Sequence, residues 1–258
     1  MDNKVQKQEA QSQEVPNVLF KHLDAGGIKV LENLELMFSN PADFNDPFEF
    51  LPCLTPCNEE SCGEERAYQA QKLVRHYGLN SFILSMTDKE HNVRMWDHYS
   101  DRHQGLMISL DFGGTLARYR GWVLPVKYTD QKRFGLLGES LEEDRAKIFE
   151  GIITHKGTDW GAESEYRWIL PAQNCYFKTQ PDEPDKAELR LLGDKFKAFL
   201  PIDSASILKV TLGYRSSQAL LNTVLQIKKR RKATWMVTKV KLSLNTFKFE
   251  DDLIDKGC

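Results

Sequence analysis

Glu163-Ser164-Glu165 is the pair of acidic residues best placed to do chemistry in this chain. In an extended segment, positions i and i+2 point the same way, so both carboxylates would face one site. Like charges held together raise the pKa of one and give an acid–base pair. Alternatively, one carboxylate hydrogen-bonds a ribose while the other steadies a positive transition state. Asp159-Trp160-Gly161-Ala162 precedes the pair and Tyr166-Arg167-Trp168 follows it. A second group is His91, His98 and His103, with Trp96, Asp97, Tyr99 and Asp101 among them. Spacings of seven and five do not stack these histidines on one helical face, where neighbours stand three or four apart, which argues against a metal. Tyr99 and His103, four apart, share a face if a helix continues through both, and would offer ring edges and polar tips to a polar ligand. The alternative is an aromatic cluster that anchors a helix to a sheet, with histidines hydrogen-bonded at its rim.

Other machinery is excluded by search. The chain has no G-x-x-x-x-G-K-[ST] phosphate loop, no G-x-G-x-x-G, no G-x-S-x-G and no H-E-x-x-H. Cys53, Cys57 and Cys62 have gaps of three and four residues and no fourth, correctly spaced ligand nearby. Five cysteines in 258 residues are odd in number and too sparse for a disulfide scaffold, so free thiols in a reducing, cytoplasmic compartment are expected. No apolar run approaches the ~18 residues of a membrane span, and the polar start lacks a signal-peptide centre, so no membrane association is expected.

The positioning elements follow from hydrophobic pattern and turn residues. Hydrophobic residues at 41% and charged residues at 28% describe an ordinary globular chain. Residues 1–16 are polar and read as a disordered tail, 17–250 as a single domain, and 251–258 as a C-terminal tail. Strands are expected at Val18–Leu23, Leu36–Ser39, Phe82–Met86, Leu106–Leu110, Gly121–Tyr128, Trp168–Leu170, Ile207–Leu212 and Trp235–Leu244. Helical segments are expected after Gly27, at Glu64–Tyr77, Val93–Tyr99, Leu141–His155 and from Ser216 to about Lys229, the last capped by Ser216 or Ser217. Pro52–Gly63 reads as a loop. Without regular strand–helix alternation, the fold class is α+β with a mixed, largely antiparallel sheet and flanking helices. The net charge is −2, but Ser204–Phe249 holds ten Lys or Arg and no acid, leaving −12 on the remainder. That block is either an anion-binding face, for phosphate, nucleotide or nucleic acid, or a solvated surface offsetting acidic neighbours.

Four strings resemble a known family when taken in order. These are Leu19-Phe20-Lys21-His22; Phe38-Ser39-Asn40-Pro41-Ala42-Asp43-Phe44-Asn45-Asp46-Pro47-Phe48-Glu49; Met95-Trp96-Asp97-His98-Tyr99 with His103-Gln104-Gly105; and Glu163-Ser164-Glu165-Tyr166-Arg167. Together they resemble the bacterial family catalogued as domain of unknown function 2971, over about residues 18–250. More distantly, a basic residue on a first strand, an aromatic-Ser on a second and E-x-E on a late strand are similar to the ADP-ribosyltransferase superfamily. That resemblance implies an ADP-ribosyltransferase-like fold and NAD as substrate. Lys21 or His22 would hold the dinucleotide, Ser39 would support the nicotinamide side, Glu165 would be catalytic and Glu163 would orient the acceptor. Lys21 and His22 are adjacent, so on a strand at most one can serve. Asp46-Pro47 is also readable as turn chemistry.

The expected NAD-contacting set is Lys21, His22, Ser39, Asn45, Asp46, Trp96, His98, Tyr99, His103 and Arg167, with Glu165 and Glu163 catalytic and no metal. The expected activity is cleavage of NAD at the nicotinamide bond, with ADP-ribose passing to a nucleic-acid or protein acceptor or to water. Two rivals stand beside it: a non-catalytic nucleotide or nucleic-acid binding module, and a metal-assisted nuclease built on His98, His103, Asp46 and Glu49.

Overall fold

A computed structural model describes residues 14–46, 48–49, 72, 80–130, 151–176 and 186–257. Val18–Leu23 forms β1, and a 3-10 turn at Ala25–Gly27 leads into α1, Ile28–Asn33. Leu34 ends α1 in the left-handed region at φ 55°, its N–H bonded to the Val30 carbonyl, and the chain turns directly into β2, Glu35–Ser39. Asn40 then stops β2: its side chain accepts from the Ala42 N–H, and Pro41 opens a 3-10 turn. The remaining strands are β3 Ser81–Thr87, β4 Leu106–Asp111, β5 Val123–Pro125, β6 Lys127–Tyr128, β7 His155–Lys156, β8 Glu165–Pro171, β9 Cys175–Tyr176, β10 Ala187–Leu192, β11 Lys195–Pro201, β12 Ile207–Leu212, β13 Met236–Leu242 and β14 Phe249–Asp255. Two further helices are α2, Val93–Tyr99, and α3, Gln218–Arg231. Among the described residues no helix is long and apolar enough to cross a membrane.

Twelve strands form one mixed, mostly antiparallel sheet in the order β14-β13-β12-β4-β1-β3-β2-β11-β10-β9, with β8 and β5 branching from β3; β6 and β7 pair separately. The expected α+β architecture is present at that level. The sheet forks at β3. Along one edge β3 meets β1 only at Phe20↔Thr87 and β2 only at Ser39↔Ile83, while β8 pairs with it along its full length, Thr87↔Glu165 through Ser81↔Pro171. Alternation along β8 then divides its side chains. Trp168, Tyr166 and Leu170 enter the main core, where Trp168 meets the rings of Phe38, Phe112 and Tyr119. Glu165, Arg167 and Ile169 face the other way, with Ile169 in a small cluster with Ile83, Ile153, Phe44 and Leu124.

Four expectations change. The stretch read as a C-terminal tail carries β14, which pairs antiparallel with β13 from Leu242↔Phe249 to Val237↔Asp255, so the sheet runs past residue 250. Charge explains why the acidic segment sits there: Lys209 bonds Glu90 and Asp251, Lys228 bonds Asp255, and Lys241 lies 3.9 Å from Glu250. Gly121–Tyr128 is not one strand, because a 3-10 helix runs through Trp122 and Val126 separates β5 from β6. The β10–β11 hairpin is unanticipated, although Gly193-Asp194 between two apolar runs is a hairpin signal and Gly193 takes φ 64°. Of Leu141–His155, residues 151–154 are helical and His155 begins β7, while 141–150 lie outside the described residues, as do Pro52–Gly63 and all of Glu64–Tyr77 but Lys72.

Candidate functional site

Glu163 and Glu165 meet at one place, but not by the route that alternation suggests. Glu163 ends a 3-10 helix, Thr158–Glu163, and Ser164 turns the chain through the left-handed region at φ 48°, ψ 53° before Glu165 opens β8. Both backbone ends of the turn are fixed: the Thr87 hydroxyl donates to the Glu163 carbonyl at 2.7 Å, and the Glu165 N–H donates to the Tyr128 hydroxyl at 2.8 Å.

The two side chains enter a buried network of charge. Lys156 Nζ lies 2.7 Å from Glu163 Oε2, 3.3 Å from Glu165 Oε2 and 3.5 Å from Glu49 Oε1. Arg167 grips Glu165 with two bonds, Nε to Oε1 at 2.9 Å and an Nη2 to Oε2 at 3.1 Å, and also bonds Glu49 and the Ile153 carbonyl. The Tyr99 hydroxyl donates to Glu163 Oε1 at 2.6 Å. Lys21 Nζ donates to the Ser85 carbonyl at 2.8 Å and feels the charges of Glu165 and Glu163. Three carboxylates are thus matched by Lys156 and Arg167, with Lys21 alongside. Removing such groups from water is costly, and only this dense pairing makes it tolerable.

Electrostatics give the carboxylates different characters. Burial alone would raise the Glu165 carboxyl, but Arg167 and Lys156 overcome it and hold it down at about 2. For Glu49 burial wins, and its pKa rises. Burial would lower the Lys156 ammonium, yet Glu165, Glu49 and Glu163 carry it up to about 12. Burial lowers Lys21 to about 8 against the pull of Glu165 and Glu163.

Beside this network is a cleft of about 210 Å³ lined by Arg94, Met95, His98, Asp159, Trp160, Ala162 and Glu163. One wall is α2, capped by the Asn92 side chain, which accepts from the N–H groups of Arg94 and Met95 and donates to the Ala162 carbonyl on the facing wall. Lys156 Nζ stands 4.5 Å from the Trp160 ring centroid, so one ammonium fixes both Glu163 and the indole beside it. Glu165 lies behind, and is not among the residues lining the cleft.

The expected site residues therefore separate into two groups. Glu163, Glu165, Lys21, Tyr99 and Arg167 come together, and His98 stands at the cleft. His22 does not join them: it is buried against the Trp96 ring with centroids 4.9 Å apart, its Nδ1 3.3 Å from Ser100 Oγ. Burial, with nearby Lys21, His103 and His91, lowers its pKa to about 3. Trp96 is fully buried, packed with Met107 and Val240. Ser39 pairs at the level of Ile83 and Ile169, four residues from Glu165, which is about 13 Å along the strand. It does not line the cleft. His103 shares no face with Tyr99, because the helix ends there and Asp101, Arg102 and His103 take φ of 46°, 51° and 69°. Its ring packs on Tyr214 and Phe249 instead.

Asn45 is exposed, and Asp46 makes a turn, its Oδ1 accepting from the Phe48 N–H at 2.8 Å. That turn delivers Glu49 to Arg167. The nuclease set of His98, His103, Asp46 and Glu49 is not assembled. Among the described residues, the group whose metal-ligand atoms lie within 4.8 Å of one another is Glu90, His91 and Asp251, and Lys209 already fills it. Cys53, Cys57 and Cys62 lie outside the described residues.

Lys156, Tyr128 and Trp160 were not singled out from sequence. The one available signal is Trp160, three residues before Glu163. No family model, curated protein or solved structure matches the chain.

Proposed function

We propose that this chain is an ADP-ribosyltransferase-like enzyme, of the kind implied by the distant resemblance to the ADP-ribosyltransferase superfamily, that cleaves NAD at the nicotinamide bond. The observation that carries this reading is Glu163, fixed through one oxygen by Tyr99 and through the other by Lys156, on the wall of a cleft beside Trp160. When the bond from the ribose C1′ to the ring nitrogen breaks, the electron pair leaves with neutral nicotinamide, and positive charge develops on C1′ and the ring oxygen. A carboxylate already oriented and partly shielded from water stabilises that charge without reorganising. Water or an acceptor nucleophile then bonds to C1′ and releases its proton on the side of the cleft where His98 is exposed.

At about 210 Å³ the cleft is smaller than the roughly 300–1,000 Å³ of pockets that enclose a drug-sized ligand. It accommodates the nicotinamide and its ribose against Trp160, while Arg94 at the rim meets the phosphates. The roles of the two glutamates are exchanged relative to the resemblance: Glu163 acts on the substrate, and Glu165 with Arg167 holds the network that positions it. The test is nicotinamide release from NAD, with melting temperature as the check on folding. Glu163→Gln should lower the rate by about 10²–10³. Absence of release by the wild type, with candidate acceptors supplied, overturns the proposal.

A further inference from the structure

The far end of α3 carries positive charge that no ion pair among the described residues offsets. Within the basic block, three lysines reach carboxylates: Lys209 bonds Glu90 and Asp251, Lys228 bonds Asp255, and Lys241 lies 3.9 Å from Glu250, while Lys239 donates to the Ser216 carbonyl. Lys228 is itself buried, and its Nζ also donates to the Lys256 carbonyl at 2.8 Å. That bond brings Lys256 against the end of the helix, where Gly257 fits so tightly that a Cβ would stand 2.2 Å from the Thr234 carbonyl oxygen. Two distant parts of the sequence therefore place Lys229, Arg230, Arg231, Lys232 and Lys256 around one helix terminus. Lys229, Arg230, Lys232 and Lys256 are exposed. Among the described residues, none of the five forms an ion pair.

A helix C-terminus is complemented by about half a unit of positive charge. Five cations exceed that roughly tenfold, on a chain whose net charge is −2, and their mutual repulsion costs stability unless an anion offsets it.

We propose that this terminus is a docking surface for the phosphate backbone of a nucleic acid. Lys229, Arg230 and Lys232 fan around the helix end with Lys256 beside them, a concentration of positive charge that suits a flexible phosphate backbone, and Arg230 adds a forked donor that matches phosphate oxygens. Along the same helix, the exposed positions besides the cations are Gln218, Ala219, Asn222 and Gln226, so no ridge of large apolar side chains accompanies the cations as burial in a lipid surface requires. The surface is independent of the cleft chemistry.

The experiment is fluorescence anisotropy of the full chain with a labelled single-stranded oligonucleotide of about 16 nucleotides. With about four phosphates contacted, affinity should fall by roughly 50-fold between about 50 and 200 mM salt. The triple variant Lys229→Gln, Arg230→Gln, Lys232→Gln should bind at least about tenfold more weakly at low salt and lose about two units of salt slope. Lys241→Gln, already paired with Glu250, should bind as the wild type does. Equal melting temperatures would establish that the triple variant is folded, and its nicotinamide release should equal that of the wild type. The proposal fails if the triple variant binds undiminished, if the wild type shows no binding at low salt, or if vesicles of anionic phospholipid bind and the oligonucleotide does not.

Discussion

Glu163 and Glu165 are held by one ammonium, that of Lys156, at 2.7 and 3.3 Å, yet only Glu163 borders the cleft. The pair is thus asymmetric: one carboxylate is available to a ligand and the other is enclosed by Arg167, Lys156 and Ser85. The left-handed turn at Ser164 creates the asymmetry, because it breaks the strand alternation that would make the two side chains equivalent.

Lys156→Met tests the network directly. It leaves Glu49 and Glu165 to Arg167 and strips Glu163 of its bonded cation, and breaking a buried ion pair from one side costs about 3–5 kcal/mol. For a chain of this size that corresponds to a fall of about 6–20 °C in melting temperature. Adding Glu163→Gln should recover part of the loss, since it removes a charge left unmatched. Additive losses in the double variant would show that the two residues act separately.

Ser164 offers a backbone test. A left-handed conformation costs an L-residue roughly 1–2 kcal/mol, and a β-branched side chain tolerates it worst. Ser164→Val should therefore lower the melting temperature and nicotinamide release together, because it disturbs the placement of Glu163. Ser164→Gly should preserve both. Equal behaviour of the two variants would mean that the turn is not constrained.

The buried His22 makes an acid-sensitivity prediction. Its folded pKa of about 3 lies below its ordinary value of 6.5. Between those values the unfolded chain binds the extra proton, so stability is fully present above pH 6.5 and declines as pH falls towards 3. Glu165 acts in the same direction only lower, between its ordinary 4.5 and about 2. The urea midpoint should already fall between pH 6.5 and 5, and His22→Gln should flatten that part of the curve. Parallel wild-type and variant curves in this window would exclude His22 as the cause.

What was legible in the sequence tracks the range of the interactions concerned. The strands around Phe20, Leu84, Ile108 and Val210 are apolar runs closed by turn residues, and the Ser217 cap of α3 is a local signal. Glu163, Glu165, Tyr99 and Arg167 stood out as polar and charged residues close to one another within short strings, and the structure brings their side chains into one network. Lys156 did not stand out, since His155 and Gly157 beside it form no pattern. Its importance arises from the fold, which turns the chain at Ser164 so that Glu163 and Glu165 both reach it and brings in Glu49 from more than a hundred residues away. His22 and Trp96 misled for the reverse reason, as residue types common in binding sites that here fill the space beneath α2.

β14 was hidden because Asp251, Asp252 and Asp255 fall in the segment read as tail, whereas Asp251 and Asp255 pair with Lys209 and Lys228 of the block before them. This gives the last prediction. A chain ending at Lys248 loses the strand that pairs with β13 and the carboxylates that neutralise Lys209 and Lys228, leaving buried Lys228 without its anion and an unpaired, partly apolar edge at β13. An uncompensated buried charge costs several kcal/mol, and a bare sheet edge templates association with other chains. The truncated protein should melt well below the full chain and aggregate on concentration, as read by light scattering, whereas a chain ending at Lys256 should behave as the full one does. Replacing Asp251 and Asp255 by Asn in the full chain separates the two causes: it removes the charges but keeps the strand, so it should lower the melting temperature without promoting aggregation. If the chain ending at Lys248 instead kept the full melting temperature and stayed monomeric, the acidic segment would contribute nothing to the sheet and its charge would serve only solubility.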